Sequence, residues 1–275
     1  MGHVHPTNGT QAVAERPMID PDSPDFVASF ARGLSVVRAF GAETPRQTLS
    51  EVAERTGLTR AAARRFLLTL EALGYARSDG KYFELTPMVL ELGFSYLSSL
   101  DMTEAIQPWL RRVSDTLGES CSAAVLDGID IIYVARAAAR HRILAISLNV
   151  GARLPAWCTS MGQVLLANLP PARRNMLLRD ISFEPRTPHS LGDMKSLGDR
   201  LALVRDQGYA IADQELELGL RSIAVPLHDR TGVVVAAMNV SAQAARVSVE
   251  MLEGEYLPVL LDAARQFEAT ERVRG

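Results

Sequence analysis

Between Thr59 and Tyr82 five basic residues, Arg60, Arg64, Arg65, Arg77 and Lys81, stand against two acidic ones, Glu71 and Asp79. The whole chain carries a net charge of −3, so this is a local cationic excess. Arginines clustered this way reach phosphate oxygens or the hydrogen-bonding edges of bases. The small side chains of Ala61 and Ala62, beside Arg60, let a backbone come close to a groove. A second set of candidates is polar but uncharged: Ser222, Asn239 and Ser241 recur among apolar residues, as the polar points of a small-molecule pocket do. A third is Cys158-Thr159-Ser160-Met161-Gly162 ahead of the apolar run Val164-Leu165-Leu166-Ala167. There Thr159 or Ser160 can cap a helix whose free N–H groups suit an anion, with Arg153 and Arg221 as further sources of charge. An ordinary capped helix reads the same way.

The cationic cluster needs a scaffold, and the residues before it supply one. Thr48-Leu49-Ser50-Glu51 has the spacing of a capping box, and Gly57 ends that helix where a left-handed residue is required. Thr59 caps a second helix at once, so the connection is a tight turn. Ala63, Phe66, Leu67, Leu70 and Leu73 form the buried face of this second helix and leave Arg60, Arg64 and Arg65 on others. Tyr75 to Ser78, a turn at Asp79-Gly80, and Lys81 to Leu85 predict a basic hairpin. An earlier helix over Asp25 to Gly41, carrying Phe26, Val27, Phe30, Leu34, Val36, Val37 and Phe40, packs behind the pair. Helix, Gly turn, helix and hairpin make a winged helix-turn-helix, with Ser50, Thr59, Arg60, Ala61, Arg64 and Arg65 facing DNA and Arg77, Lys81 and Tyr82 tracking the adjacent backbone or minor groove.

Pro87 can open a further helix, and Met88 to Leu100 is apolar nearly all round. A helix linking two domains buries such a surplus against a second copy of the chain, and a dimer presents two reading helices to a two-fold operator. Beyond it, helical spacing at Thr103–Leu117, Thr159–Leu169, Pro171–Leu178, Met194–Gln207 and Glu250–Arg272 alternates with strand patterns. The strands are predicted at Cys121–Leu126, Ile131–Ala137, Ile143–Leu148, Tyr209–Ala212, Ser222–Leu227 and Val233–Ser241. This is an α+β domain with helices packed on an antiparallel sheet. With Asp229-Arg230-Thr231-Gly232 as the last turn, His228 faces Val233 and Ser222 faces Asn239, with Ser241 further along the same face.

At 275 residues the chain has room for two cores. The divisions are a disordered arm over 1–24, the DNA-binding domain over 25–86, a linker helix over 87–101 and the second domain over 102–275. Cys121 and Cys158 form neither a disulfide framework nor a metal-ligand spacing, so no cofactor or metal is expected. Without an apolar signal core or a membrane-length apolar run, the expected compartment is the reducing cytoplasm. The rival reading is an enzyme with Cys158 or Ser160 as nucleophile. No G-x-S-x-G elbow supports it, and His141, His189 and His228 have no orienting acid evident in sequence.

With these residues in hand, the chain is identified as resembling the IclR family of bacterial transcriptional regulators over nearly everything after residue 25. The resemblance rests on Leu49-Ser50-Glu51-Val52-Ala53-Glu54-Arg55-Thr56-Gly57-Leu58 and on Gly219-Leu220-Arg221-Ser222-Ile223-Ala224-Val225-Pro226. Leu154 to Gly162 and Asp213-Gln214-Glu215-Leu216-Glu217 are similar to the subgroup controlling protocatechuate, 4-hydroxybenzoate and β-ketoadipate pathway genes. The resemblance implies a dimer or dimer of dimers and a GAF-like domain that binds a small carboxylic acid. The carboxylate would lie near Ser160, Met161 and Gly162, with polar contacts from Asp213, Ser222, Asn239 and Ser241. The chain departs from many members, which have paired acids at Ala212-Asp213, Cys at Ser222 and Ser at Asn239.

Overall fold

The computed structural model describes residues 20–41, 43–93, 101–139, 149–179 and 181–274. They fall into two compact units that divide between residues 95 and 96.

In the first unit, helices α1 (Ala28–Arg38), α2 (Leu49–Thr56) and α3 (Arg60–Ala72) are joined by strands β1 (Arg46–Thr48), β2 (Ala76–Ser78) and β3 (Tyr82–Leu85). The start of α2 is capped in both directions. Glu51 N–H donates to Thr48 Oγ1 at 3.4 Å, and Thr48 N–H donates to Glu51 Oε2 at 2.7 Å. Gly57 closes the helix at φ +66°, and Thr59 Oγ1 accepts from Ala62 N–H to open α3. Val36, Val52, Ala53, Ala63 and Leu67 form the core, with Phe66 and Leu70 partly buried against it.

Three details differ from the sequence reading. Leu73 lies past the end of α3 and is exposed, because the chain turns away at Gly74. Residues 46–48 form a strand that pairs with β3, giving a three-stranded sheet of order β1-β3-β2. In α1, Val36 is buried but Phe30, Val27 and Leu34 face outward, so the helix has a second apolar face that this unit does not cover. The expected linker begins as a 3-10 turn at Pro87–Val89 and continues as helix to residue 93; residues 94–100 lie outside the described residues.

The second unit is a six-stranded antiparallel sheet of order β6-β5-β4-β9-β8-β7. Its strands are β4 (Ser120–Asp127), β5 (Asp130–Ala137), β6 (Arg153–Pro155), β7 (Ala210–Asp213), β8 (Leu220–His228) and β9 (Val234–Gln243). The strand expected at 143–148 lies outside the described residues. Helix α4 (Asp101–Leu117) packs on one face with the C-terminal helix α8 (Leu257–Arg274). A helical turn at Val249–Met251 and a π-helical segment, Leu252–Tyr256, lead into α8. The other face is covered by α5 (Ser160–Ala167), α6 (Pro171–Leu178) and α7 (Met194–Gln207).

Strand alternation sorts residues between these two cores. Ile223, Val225 and Leu227 of β8 enter the α4/α8 layer, while Ala224 belongs with the α5 to α7 layer. The register of the β8–β9 hairpin differs from expectation: Ser222 faces Ser241 and Ala224 faces Asn239. An irregularity at Leu227/His228 places His228 opposite Val234 and lengthens the turn. The slip is two residues, and because side chains alternate with period two, Ser222, Asn239 and Ser241 still share a face.

Candidate functional site

The arginines that sequence assigns to DNA lie at the start of α3. Arg60, Arg64 and Arg65 are exposed, and among the described residues none of their guanidinium groups is engaged in an ion pair or hydrogen bond. Ala61, Thr59 and Ser50 are also exposed, so the turn from α2 into α3 offers a cationic edge with little bulk beside it. This is the arrangement that a major groove accepts.

The wing is different. Arg77 Nε lies 2.7 Å from Glu84 Oε1, and Arg46 of β1 pairs with Asp79. Arg46 and Lys81 both lie over the Tyr82 ring, at 5.2 and 5.0 Å from its centroid. Asp79 accepts the backbone N–H groups of Tyr82 and Lys81, which hold its carboxyl below the usual range. Much of the positive charge that sequence places on the hairpin is thus offset locally by Asp79 and Glu84. Arg46 is a wing cation that the sequence reading missed, because its strand is only three residues long and its partner, Glu84, is far along the chain.

In the second unit the polar residues of the sheet face a cleft beneath the start of α5. Ser120, Tyr133, Arg136, Cys158, Thr159, Ser160, Ala212, Leu216, Glu217, Leu220, Ser222, Asn239 and Ser241 line it. The register explains the grouping: Ser122 of β4 pairs with both Arg136 and Asn239, while Ser241 pairs with both Ser120 and Ser222. Ser160 Oγ lies 2.9 Å from Ser222 Oγ, and Asn239 Nδ2 donates to Ser241 Oγ at 3.1 Å. Thr159 caps α5 through its side chain, which accepts Gly162 N–H.

Ser160, Ser222, Asn239 and Ser241 therefore come together, and four other expected contacts do not join them. Met161 is buried in the apolar layer behind the cleft. Gly162 is a packing requirement, since a Cβ there would overlap the backbone of Ala156. Asp213 does not line the cleft: its neighbour Ala212 takes that face of β7, and Arg221 grips the Asp213 carboxylate through Nε and Nη2 at 2.8 and 2.9 Å. That pairing holds the carboxyl low. Arg153 is spent at the β4–β5 turn on Asp127 and Asp130, at 2.6 and 3.1 Å.

In their place the fold supplies Ser120, Tyr133, Arg136 and Glu217. Arg136 could have been found by extending strand alternation across β4; Glu217 sits in a loop that has no periodicity. Behind the cleft, Arg200 of α7 donates to Glu215 Oε1 at 2.7 Å, and Gln163 of α5 donates to Glu215 Oε2 at 2.8 Å. This buried network ties α5, α7 and the β7–β8 loop together. Burial pushes the Glu215 carboxyl up against the opposing pull of Arg200.

The geometry gives little to a nucleophile. Burial pushes the Cys158 thiol up to about 12, so the reactive thiolate is suppressed. Ser160 is bonded to another serine rather than to a base. His228 does have an acid beside it, Glu268 Oε1 at 2.6 Å from Nδ1, but neither residue lines the cleft. His189 is exposed, and His141 lies outside the described residues.

A winged helix-turn-helix with free arginines, joined in one chain to a domain with a polar cleft, defines a regulator that reads DNA and responds to a small molecule. Residues 29–80 match the IclR helix-turn-helix domain and residues 94–269 match the bacterial transcriptional regulator IclR C-terminal domain; the chain belongs to the IclR family of transcriptional regulators. It is 47% identical over 242 residues to the Pca regulon regulatory protein of Pseudomonas putida, covering 88% of this chain and 83% of that protein. RHA06195 of Rhodococcus sp. RHA1 has the same fold with a TM-score of 0.80 and 45% identity, over 90% of this chain and 100% of that one. An IclR homolog from Microbacterium hydrocarbonoxydans, solved in complex with 4-hydroxybenzoate, aligns with a TM-score of 0.79 and 26% identity over 90% of this chain and 100% of its own. Among the described residues, no helix is long and apolar enough to cross a membrane.

Proposed function

We propose that this chain acts in the cytoplasm as a homodimer, or a dimer of dimers, that controls genes of aromatic-acid catabolism in response to a small carboxylic acid, aromatic or short dicarboxylic. The observation that carries the reading is the pairing of free α3 arginines with a cleft that holds Arg136 among serines and the capped start of α5. The names and bound acid of the relatives support the pathway.

The outward apolar face of α1, with Phe30 67% and Val27 62% exposed, supports self-association. So do Leu90 and Leu92, at 74% and 56%. Two copies then carry Arg60, Arg64 and Arg65 to successive half-sites, while Lys81 and Tyr82 approach the flanking backbone. The effector acts by binding one arrangement of the dimer more tightly than the other, since only differential affinity shifts such an equilibrium.

The test is a thermal-shift screen of the full chain against aromatic and dicarboxylic acids, followed by operator binding with and without the best hit. A hit that raises the melting temperature and changes operator affinity is expected. A protein that binds operator but responds to no acid would be a DNA-binding scaffold instead.

A further inference from the structure

The loop between β7 and β8 supplies one wall of the cleft through Leu216 and Glu217, whereas Glu215, just before them, does not line it. Glu215 instead borders a separate open groove of about 360 Å³, with Arg200, Tyr209 and Asp213. The loop therefore has open space on two sides. Leu216 packs on the apolar layer, and the rest of the wall is fixed by polar side chains from three other segments.

Thr187 Oγ1 donates to the Gln214 carbonyl and Ser190 Oγ to the Glu215 carbonyl, each at 2.6 Å. The Glu215 carboxylate, in a residue 3% exposed, accepts Arg200 of α7 at Oε1 and Gln163 of α5 at Oε2. Arg200 Nη1 also reaches the Ile211 carbonyl of β7 at 3.0 Å, and Gln163 Nε2 reaches the Trp157 carbonyl at 3.1 Å. Gln214 is held at φ +59°, the one positive φ outside glycine among the described residues. Such a backbone persists only where its surroundings over-determine it, and it recurs at ligand clamps.

A buried ion pair is often no more stabilising than apolar side chains of the same volume. What it adds is direction, because charge-assisted bonds fix where a carboxylate sits. Gln163 lies about one helical turn beyond Ser160, so the same carboxylate that anchors the loop also anchors the start of α5. Resting on the reading that the cleft is the effector site, we infer that Glu215 is a positioning residue for effector binding. It meets no ligand; through Arg200 and Gln163 it holds the 214–217 wall against α5 and so sets the width of the cleft.

The test compares the full-length wild type with Arg200→Met/Glu215→Leu, which replaces the pair by apolar side chains, and with Arg200→Lys, which keeps a charged donor for Glu215. Cys158 gives a readout that needs no ligand, because it is buried and lines the cleft, while Cys121 is buried in the α4/α8 layer. Its alkylation by iodoacetamide, assigned by peptide mass mapping, reports opening of the cleft. The double variant is expected to melt within about 4 °C of the wild type. It should nevertheless alkylate Cys158 about fivefold faster or more, and bind 4-hydroxybenzoate about tenfold more weakly by calorimetry. Arg200→Lys should stay within about threefold of the wild type in both. Wild-type alkylation and affinity in a double variant that melts normally overturn the inference and leave the network a packing device. A double variant that melts far below the wild type moves the decision to Glu215→Gln, which replaces one acceptor by a donor opposite Arg200 or Gln163. Unchanged alkylation and affinity there overturn the inference as well. A wild type that does not bind 4-hydroxybenzoate counts against the effector reading alone, since the alkylation rates still support or overturn the role of Glu215.

Discussion

Ser160 Oγ at the first residue of α5 and Ser222 Oγ within β8 lie 2.9 Å apart, so the helix that covers the cleft is bonded to the sheet that forms its floor. A ligand in the cleft that takes the hydroxyl proton left over from this bond touches the helix and the sheet at once.

Replacing Ser222 by Val introduces a β-branched side chain suited to a strand, removes the hydroxyl and fills part of the cleft. The expected result is a stability loss of about 1 kcal/mol, with effector affinity reduced about tenfold or more and operator binding in the absence of effector unchanged. Paired denaturation and gel-shift measurements check this, and an effector response equal to that of the wild type would remove Ser222 from the site.

Among the described residues Arg64 has no ion-pair partner, whereas Arg77 is held by Glu84. Arg64→Ala is expected to weaken operator binding about tenfold at moderate salt and to reduce the salt dependence. Arg77→Ala should cost about threefold or less, because that guanidinium must first leave its partner. Fluorescence anisotropy with operator DNA across a salt series measures both, and equal losses would show that the wing pairs open on DNA.

The capping box makes the reading head sensitive to acid. Hydrogen bonds from Thr48 lower the Glu51 pKa from its ordinary value of 4.5. A carboxyl depressed in the folded state contributes stability that is present above 4.5 and is lost as pH falls through the lower, folded value. Glu51→Gln should therefore flatten the melting temperature of the first unit against pH below 4.5 while leaving the dependence near neutrality as it is. Thermal melts between pH 3 and 7, read by helix signal, test the sign.

Gly162 has no room for a side chain, since a Cβ meets the Ala156 carbonyl and Cα. Gly162→Ala must push α5 away from the 156–158 turn, at a cost of about 1–3 kcal/mol or more, and should loosen the cleft. A variant as stable as the wild type, with unchanged effector affinity, would show that the turn yields freely.

Local signals made the reading head legible. Thr48, Glu51, Gly57 and Thr59 act over three or four residues through backbone donors and a left-handed turn, and each behaves in the structure as its type and spacing dictate. The sheet was partly legible, because β8 and β9 announce themselves by alternation. The irregularity at Leu227/His228 left the facing partner wrong by two residues but the face right.

What sequence alone determined, then, is the order of elements, the caps, the exposed arginines of α3 and which sheet residues share a face, all properties of short-range geometry. The membership of the cleft was decided only by tertiary structure. Asp213 was claimed by Arg221 and Arg153 by Asp127 and Asp130, while Arg136, three strands away from Ser222, and Glu217 of an aperiodic loop came to face Ser160. Ion pairing and strand order act between residues far apart in the chain, and no local pattern encodes which side chains they will bring to one cleft.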